Sequence, residues 1–250
     1  MRFLGINLCE KVPDAKTIWK FKNDLAETVD KLFCMFDEHL EKEGLISHKC
    51  TIVDATFVDA PRQRNSRDEN KKIKNGVIPE GWEKPENKSK LAQKDIDADW
   101  TKKNGERHFG YKDHVKCDAD SKLITNYSVT SASVHDSQRC LVFIGQEDEV
   151  LYADSAYSGK PIALALPENC KNQICEKGYR NSPLTSEQKM NNRRKSRIRC
   201  RIEQIFGFMT GAMHGITIRS IGITRAWMNI GITNLVYNFC RYSYLKGASA

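Results

Sequence analysis

Thr51-Ile52-Val53-Asp54-Ala55-Thr56-Phe57-Val58 is the stretch on which the fold turns. Five of its eight residues are β-branched, and its length suits a strand. An apolar strand with an Asp in its middle is unusual. A buried carboxylate without compensation costs several kcal/mol, so Asp54 requires a partner, a proton or a metal ion.

On the N-terminal side the chain reads as helical. Asp14, after Pro13, is placed to cap a helix. Ile18, Phe21, Leu25, Val29, Leu32, Phe33 and Phe36 recur at helical spacing, with a break expected near Thr28 and an end at Gly44. On the C-terminal side, residues 61–107 change character. They hold thirteen Lys or Arg and nine Asp or Glu, with few apolar residues beyond Trp82, Leu91 and Trp100. This composition predicts a long solvated insertion.

Regular structure resumes at Phe109. Tyr111–Cys117 and Leu123–Thr130 read as two strands joined by the polar turn Asp118-Ala119-Asp120-Ser121. A helix is expected from His135-Asp136-Ser137. Val150-Leu151-Tyr152-Ala153-Asp154 is a further strand that ends in an Asp. A short strand is expected at Gln173–Cys175. Thr185–Thr210 reads as a helix with a basic first half. Ile223–Leu245 reads as a core helix that buries Met228, Ile232, Leu235, Val236 and Phe239. Helices, a run of strands, a helix, a strand and then helices give a mixed α/β class.

At 250 residues the chain forms one large domain or two small ones, enough to bury a core without disulfides. Forty Lys and Arg against 32 Asp and Glu give a net charge of +8, which suits a polyanionic partner. The balance excludes an acidic disordered chain, a collagen and a simple coiled coil. The longest charge-free apolar stretch, Ala226–Cys240, is 15 residues with three Asn, too short and polar to span a bilayer. No secretory leader is evident, so a cytoplasmic protein with no membrane contact is expected. The nine cysteines are scattered without a C-x-x-C and read as reduced thiols.

Three acids stand out by position: Asp54 within a strand, Asp154 at a strand end, and Glu203 on the basic helix. Taken singly, each has an ordinary reading as a hydrogen-bond acceptor, a turn former or an i,i+4 partner of Arg199. Taken together, they are the hard oxygen donors that a two-metal phosphoryl-transfer site needs.

The surrounding strings carry more. Val53–Asn65 (VDATFVDAPRQRN), Phe109–Asp118 (FGYKDHVKCD), Thr130–Ser137 (TSASVHDS), Tyr152–Gly159 (YADSAYSG) and Arg199–Gly207 (RCRIEQIFG) occur in that order. They resemble the DDE transposases of bacterial insertion sequences, specifically the insertion-sequence-5 family. The resemblance runs from Arg2 to about Leu245 and includes the insertion. It implies an RNase H-like fold, a mixed sheet flanked by helices, with Asp54, Asp154 and Glu203 as catalytic metal ligands. It further implies Mg²⁺, with Mn²⁺ as a substitute, double-stranded DNA ends and target as substrates, and a homodimer on DNA. The 49 residues from Asp154 to Glu203 leave no room for the large β insertion that some related transposases carry there.

Two departures accompany the resemblance. In the family's Tyr-x2-Arg-x3-Glu-x6-Lys motif, Arg199 and Glu203 match, but Ser196 and Thr210 replace the Tyr and the Lys. Family members also carry further residues before the stretch resembling MRFLGINL. Residues 1–48 are therefore expected to be the remnant of a longer end-recognition region, and residues 49–250 the catalytic domain with its insertion at 61–107.

For DNA contact, Lys189–Arg201 offers seven cations and no acid. Arg193, Arg197 and Arg201 share one helical face, and Arg199 shares another with Glu203. These residues, with Arg62 and Arg64 after the first strand, are the expected phosphate grip. His135-Asp136 is read as structural, with Asp136 capping the next helix. Two other readings remain: a metal nuclease that hydrolyses without joining, and a truncated, inactive DNA-binding remnant.

Overall fold

The computed structural model describes residues 10–103, 105–215 and 217–248. The stretch resembling MRFLGINL and Cys9 fall outside them. Helices α1 (Ala15–Asp24) and α2 (Val29–Lys42) precede strand β1 (Thr51–Asp59). The insertion carries α3 (Arg67–Lys74), α4 (Lys88–Ala92) and β2 (Asp99–Lys103). Then come β3 (Glu106–Asp118), β4 (Ile124–Ser131), α5 (Ser137–Phe143), β5 (Val150–Tyr152), α6 (Lys160–Ala165) and β6 (Lys171–Asn172). Two long helices, α7 (Ser186–Gly211) and α8 (Ile223–Ala248), complete the chain.

The six strands form one mixed sheet. β1 is central. It pairs antiparallel with β3, from Thr51 opposite Asp118 to Asp59 opposite Gly110. On its other edge it pairs parallel with β5 at Thr51 and Ile52, and β5 pairs parallel with β6. β2 and β4 lie along the outer edge of β3, opposite Glu106–Gly110 and Tyr111–Cys117 respectively. This is the RNase H-like arrangement of antiparallel strands on one side of β1 and parallel strands on the other.

Both faces of the sheet are covered, which explains why β1 reads as a nearly continuous apolar run. On one face Ile52 and Val58 pack with Tyr111, Val115 and the α7 residues Ile202, Ile205 and Met209. On the other, Val53 and Leu151 pack with Cys140, Phe143, Tyr157 and Ile162. Among the described residues, the eight cysteines are free and no helix is long and apolar enough to cross a membrane.

The N-terminal helices follow the sequence closely. The Asp14 carboxylate accepts the Thr17 N–H at 2.7 Å, the helix breaks at Thr28, and Gly44 at φ +69° ends α2. Val29 and Phe33 are buried, but Ile18 and Phe21 stay exposed because α1 lies on the surface, and Leu32 stays exposed on the outer side of α2. The short expected strand at Gln173–Cys175 is shifted to Lys171–Asn172. Its backbone still follows β5, with the Gln173 and Cys175 N–H groups bonded to Leu151 and Ala153 carbonyls.

The insertion corrects the solvated-loop expectation. Ser66 and Glu69 form a capping box at the start of α3, and the other Glu69 oxygen accepts the Trp82 indole N–H at 2.9 Å. Trp82 is 2% exposed, with the Lys90 and Lys94 ammonium groups over its ring. Buried Asp95 accepts the Tyr111 hydroxyl and the N–H groups of Asp97 and Ala98. Asp97 accepts the first N–H of α8, from Ile223, at 2.8 Å. Four of the nine acids that made the segment look solvated, Glu69, Asp95, Asp97 and Asp99, are acceptors for N–H groups around them.

Helix α8 also corrects its expected face. Met228 and Leu235 are buried, but Val236 and Phe239 are 39% and 46% exposed. The buried face is partly polar. The Asn238 amide accepts the Ile124 N–H at 2.9 Å and donates to the Ile124 carbonyl at 2.7 Å, which clamps the start of β4. Asn234 donates to Asp113 at 3.2 Å. Asp113 Oδ2 and Asn234 Oδ1 are both buried acceptors without a donor, so a proton on Asp113 suits the pair. Burial pushes Asp113 up to about 8.

Two outcomes follow from this packing. Trp82→Ala should cost roughly 3–5 kcal/mol of local stability, read as new proteolytic cleavage confined to residues 66–95. For Asp113, the folded state binds a proton that the unfolded chain releases near pH 4. The stability it contributes is complete below that pH and is lost as pH rises through about 8. The melting temperature of Asp113→Asn should therefore gain on the parent chain between pH 5 and pH 9. A constant difference across that range would contradict the assignment.

Candidate active site

β1 and α7 carry the centre of the site. Thr185 and Gln188 form a capping box that starts α7. Ile202, Ile205 and Met209 are buried, which fixes how the helix rolls on the sheet and aims Arg199 at β1. The Arg199 guanidinium donates from Nη1 to Asp54 Oδ2 at 2.7 Å and from Nη2 to Glu203 Oε1 at 2.8 Å. Asp54 is 8% exposed, and its second oxygen accepts the Ala55 N–H at 2.8 Å.

Asp154 follows the end of β5 and caps the short 3-10 turn Ser155–Tyr157, accepting the Ala156 N–H at 2.7 Å. It is close enough for its charge to act on both Asp54 and Arg199. Burial pushes Asp54 up to about 6; the neighbouring Asp154 charge adds to this, while the Ala55 N–H and Arg199 oppose it. Asp54 and Glu203 thus share one guanidinium, and Asp154 stands near enough for its charge to act on it without pairing with it. Arg199 stands where positive charge is required. The three carboxylates are hard oxygen donors of the type that Mg²⁺ or Mn²⁺ takes, but their oxygens are not drawn together into a closed ligand cluster.

The other cations divide. Arg193 and Arg197 are exposed on α7. Arg201 is tied to the Ala119 carbonyl and to Asp120. Arg199 is held at the acids rather than facing solvent. Arg62 lies over the Trp100 ring at 5.8 Å, and Arg64 is exposed. At the two positions that depart from the family motif, Ser196 faces Cys175 and the Thr210 hydroxyl bonds back to the Phe206 carbonyl of its own helix.

The capping role expected of Asp136 is corrected. Its side chain makes no cap bond; it accepts from Lys112 at 2.7 Å. His135 takes the role instead, accepting the Ser137 N–H at 3.3 Å. Tyr157 was not singled out from the sequence. It is fully buried, its hydroxyl lacks a partner, and burial and the Asp54 charge both raise its pKa. The signal was available in YADSAYSG, where Tyr157 lies three residues after Asp154. A separate cluster, His48, Glu147 and Asp148, also has metal-ligand chemistry. Lys116 already neutralises it at 2.8 Å from Asp148, and Thr51 donates to the same carboxylate.

The transposase DDE domain family matches residues 46–239. The transposase for insertion sequence element IS1106 from Neisseria meningitidis serogroup B is 30% identical over 199 residues, which cover 75% of this chain and 64% of that protein. The chain thus spans a little under two thirds of this relative's length. The cryo-EM structure of a piggyBac transposase synaptic complex with hairpin DNA matches at a TM-score of 0.44 and 10% identity, over 94% of this chain and 56% of that one.

Because Arg199 holds Asp54 and Glu203 with Asp154 nearby, Arg199→Met should destabilise the chain at pH 8 by roughly 1–3 kcal/mol, between exposed and buried ion pairs. Millimolar Mg²⁺ should restore the lost melting temperature, and Asp54→Asn in the same background should abolish that recovery. A melting temperature insensitive to Mg²⁺ would count against the acids as a metal site.

Proposed function

The chain belongs to the transposase DDE domain family, and from that premise we propose that it cleaves DNA at insertion-sequence ends and joins the freed strand to target DNA. The pairing of Asp54 and Glu203 on the Arg199 guanidinium, with Asp154 near enough for its charge to act on Asp54 and Arg199, supports this reading. Water attacks the phosphodiester at an element end and frees a 3′-OH, which then attacks a target phosphodiester with no covalent enzyme–DNA intermediate.

Asp54, Asp154 and Glu203 would hold Mg²⁺, or Mn²⁺ in its place. Such ions would lower the pKa of the attacking water and offset charge on the reacting phosphate. The protein's own part is positioning. A strand, a strand end and a helix packed on one sheet fix the carboxylates more rigidly than loops. Arg193 and Arg197 grip phosphates beside the acids, with Arg62 and Arg64 further along the DNA. Arg199 neutralises the acids in the DNA-free protein and is within reach of a phosphate once they are otherwise engaged. Residues 49–250 form the catalytic unit, and the segment before them serves end recognition. Two DNA ends are held by two copies of the chain. The cytoplasm, on the nucleoid, is where such DNA lies.

The test is strand cleavage on a duplex carrying the gene's own flanking ends, in Mg²⁺ and in Mn²⁺. The parent chain is compared with Asp154→Asn and Glu203→Gln. Metal-dependent nicking at the end, reduced at least 100-fold in both variants, and a joined product are expected. Nicking without joining would identify a nuclease. Salt-sensitive binding without cleavage would identify an inactive DNA-binding remnant.

A further inference from the structure

The outer edge of β1 is paired at its start and at its end. β5 pairs with it only at Thr51 and Ile52. The same edge is met again at Asp59, by a bridge from Thr217 and by the Ile218 N–H bonded to the Asp59 carbonyl at 3.0 Å. No strand pairs with it in between among the described residues. The unpaired stretch runs over residues 53–58; from Asp54, near its start, to Asp59, which closes it, is about 17 Å at about 3.3 Å per residue. DNA rises 3.4 Å per base step, so the gap is about five steps long.

At its far end lies a cleft of about 340 Å³ between the insertion and the segment 217–222. Arg62, Gln63, Gln93, Arg219 and Ser220 line it. Arg62 and Arg219 form no ion pair with an acid among the described residues. Asp95 also lines the cleft, but both its oxygens are committed to Tyr111, Asp97 and Ala98. Lys94 ties the two walls of the insertion together through the Arg64 carbonyl and the Asn65 side chain. The Gln63 amide oxygen is buried and has no donor.

That acceptor decides the ligand. A phosphate satisfies Arg62 and Arg219 but has no proton for the Gln63 oxygen. The edge of a base does: adenine and cytosine present an amino group, and adenine accepts the amide N–H in return. Arg219 is suited to the paired acceptors of guanine. We propose that this cleft reads a base, adenine at Gln63 or guanine at Arg219, about five steps from the phosphate held at Asp54. The inference rests on the DNA-cleaving reading above and adds a sequence-reading site to it.

Binding tests it independently of catalysis. The full chain carrying Asp54→Asn, which should bind without cutting, is used to select from 30-base-pair duplexes with a randomised centre. The selection is repeated with Gln63→Ala and with Arg219→Lys added. Arg219 is exposed, and its Lys variant keeps the charge, so its folding is not at issue. One or two positions should show a preference of about 5–150-fold that one of the two variants flattens, with the other positions unchanged. Nicking of the selected duplex by the parent chain should then fall about four to six steps from that base.

Equal loss of affinity for all sequences would mean that the cleft grips phosphate only, and would overturn base reading. An unselective parent, or a motif unchanged in both variants, would overturn it too. A cut more than about ten steps away would overturn the alignment along β1. A flattened preference in a chain that never cuts would leave base reading standing and remove the catalytic reading instead.

Discussion

An ionised carboxylate in the middle of a doubly covered central strand needs a positive charge beside it, and Arg199 supplies that charge to Asp54. Much of the architecture follows from bringing the two together. β1 must be central, because its apolar neighbours need cover on both faces. α7 must cross it at the right height, and the capping box at Thr185 and Gln188 sets that height. From the first residue of α7 to Arg199 is about 20 Å of helix at 1.5 Å per residue. Ile202, Ile205 and Met209 then set the rotation about the helix axis. The site geometry is thus a consequence of apolar packing, and the charged contacts report where that packing has placed them.

The acids of this protein do two different jobs, and composition does not separate them. Glu69, Asp95, Asp97 and Asp118 each accept hydrogen bonds from the chain around them and knit turns to the body. Asp54 and Glu203 share one cation, with Asp154 near it. The difference lies in which donors a carboxylate meets, chiefly backbone N–H groups in the first set and a guanidinium for Asp54 and Glu203, which only the folded chain reveals. It also changes the character of the insertion. Four of its nine acids, Glu69, Asp95, Asp97 and Asp99, turn inward as acceptors, whereas Arg62 and Arg64 face out. The segment is therefore a more basic surface than its thirteen cations and nine acids suggest.

The sequence was legible where local pattern and tertiary environment agree. β1, β5 and α7 have strand or helix signals that their burial reinforces, so the three acids were assigned to the right elements. The Asp14 cap, the break at Thr28 and the Gly44 terminus are local chemistry and read directly. β2 was missed because Asp99-Trp100-Thr101-Lys102-Lys103 is polar: it is an edge strand that needs little apolar cover. The face of α8 was misjudged because apolar periodicity assumes that buried means apolar. Asn234 and Asn238 are buried because β3 and β4 present polar groups there for them to satisfy. Arg199 was grouped with the DNA contacts because a run of cations carries no sign of which one turns inward.

The shortness of β5 is the feature that joins site and surface. A longer strand would continue pairing with β1 past Asp154, leaving that residue inside a ladder and not at a strand end. By stopping at Tyr152, β5 frees Asp154 to cap the following 3-10 turn, near enough for its charge to act on Asp54. The same stop leaves the edge of β1 unpaired until Thr217. An unpaired central-strand edge invites wrong partners, and proteins blunt such edges with charge or cover. Here Asp54 stands near one end and Asp59 at the other, Arg199 lies over the first, and the 217–222 segment covers the second. Between them the edge of β1 carries no strand partner among the described residues and leads from the acids to a cationic, amide-lined cleft, an arrangement suited to an extended anionic chain that presents base edges at intervals.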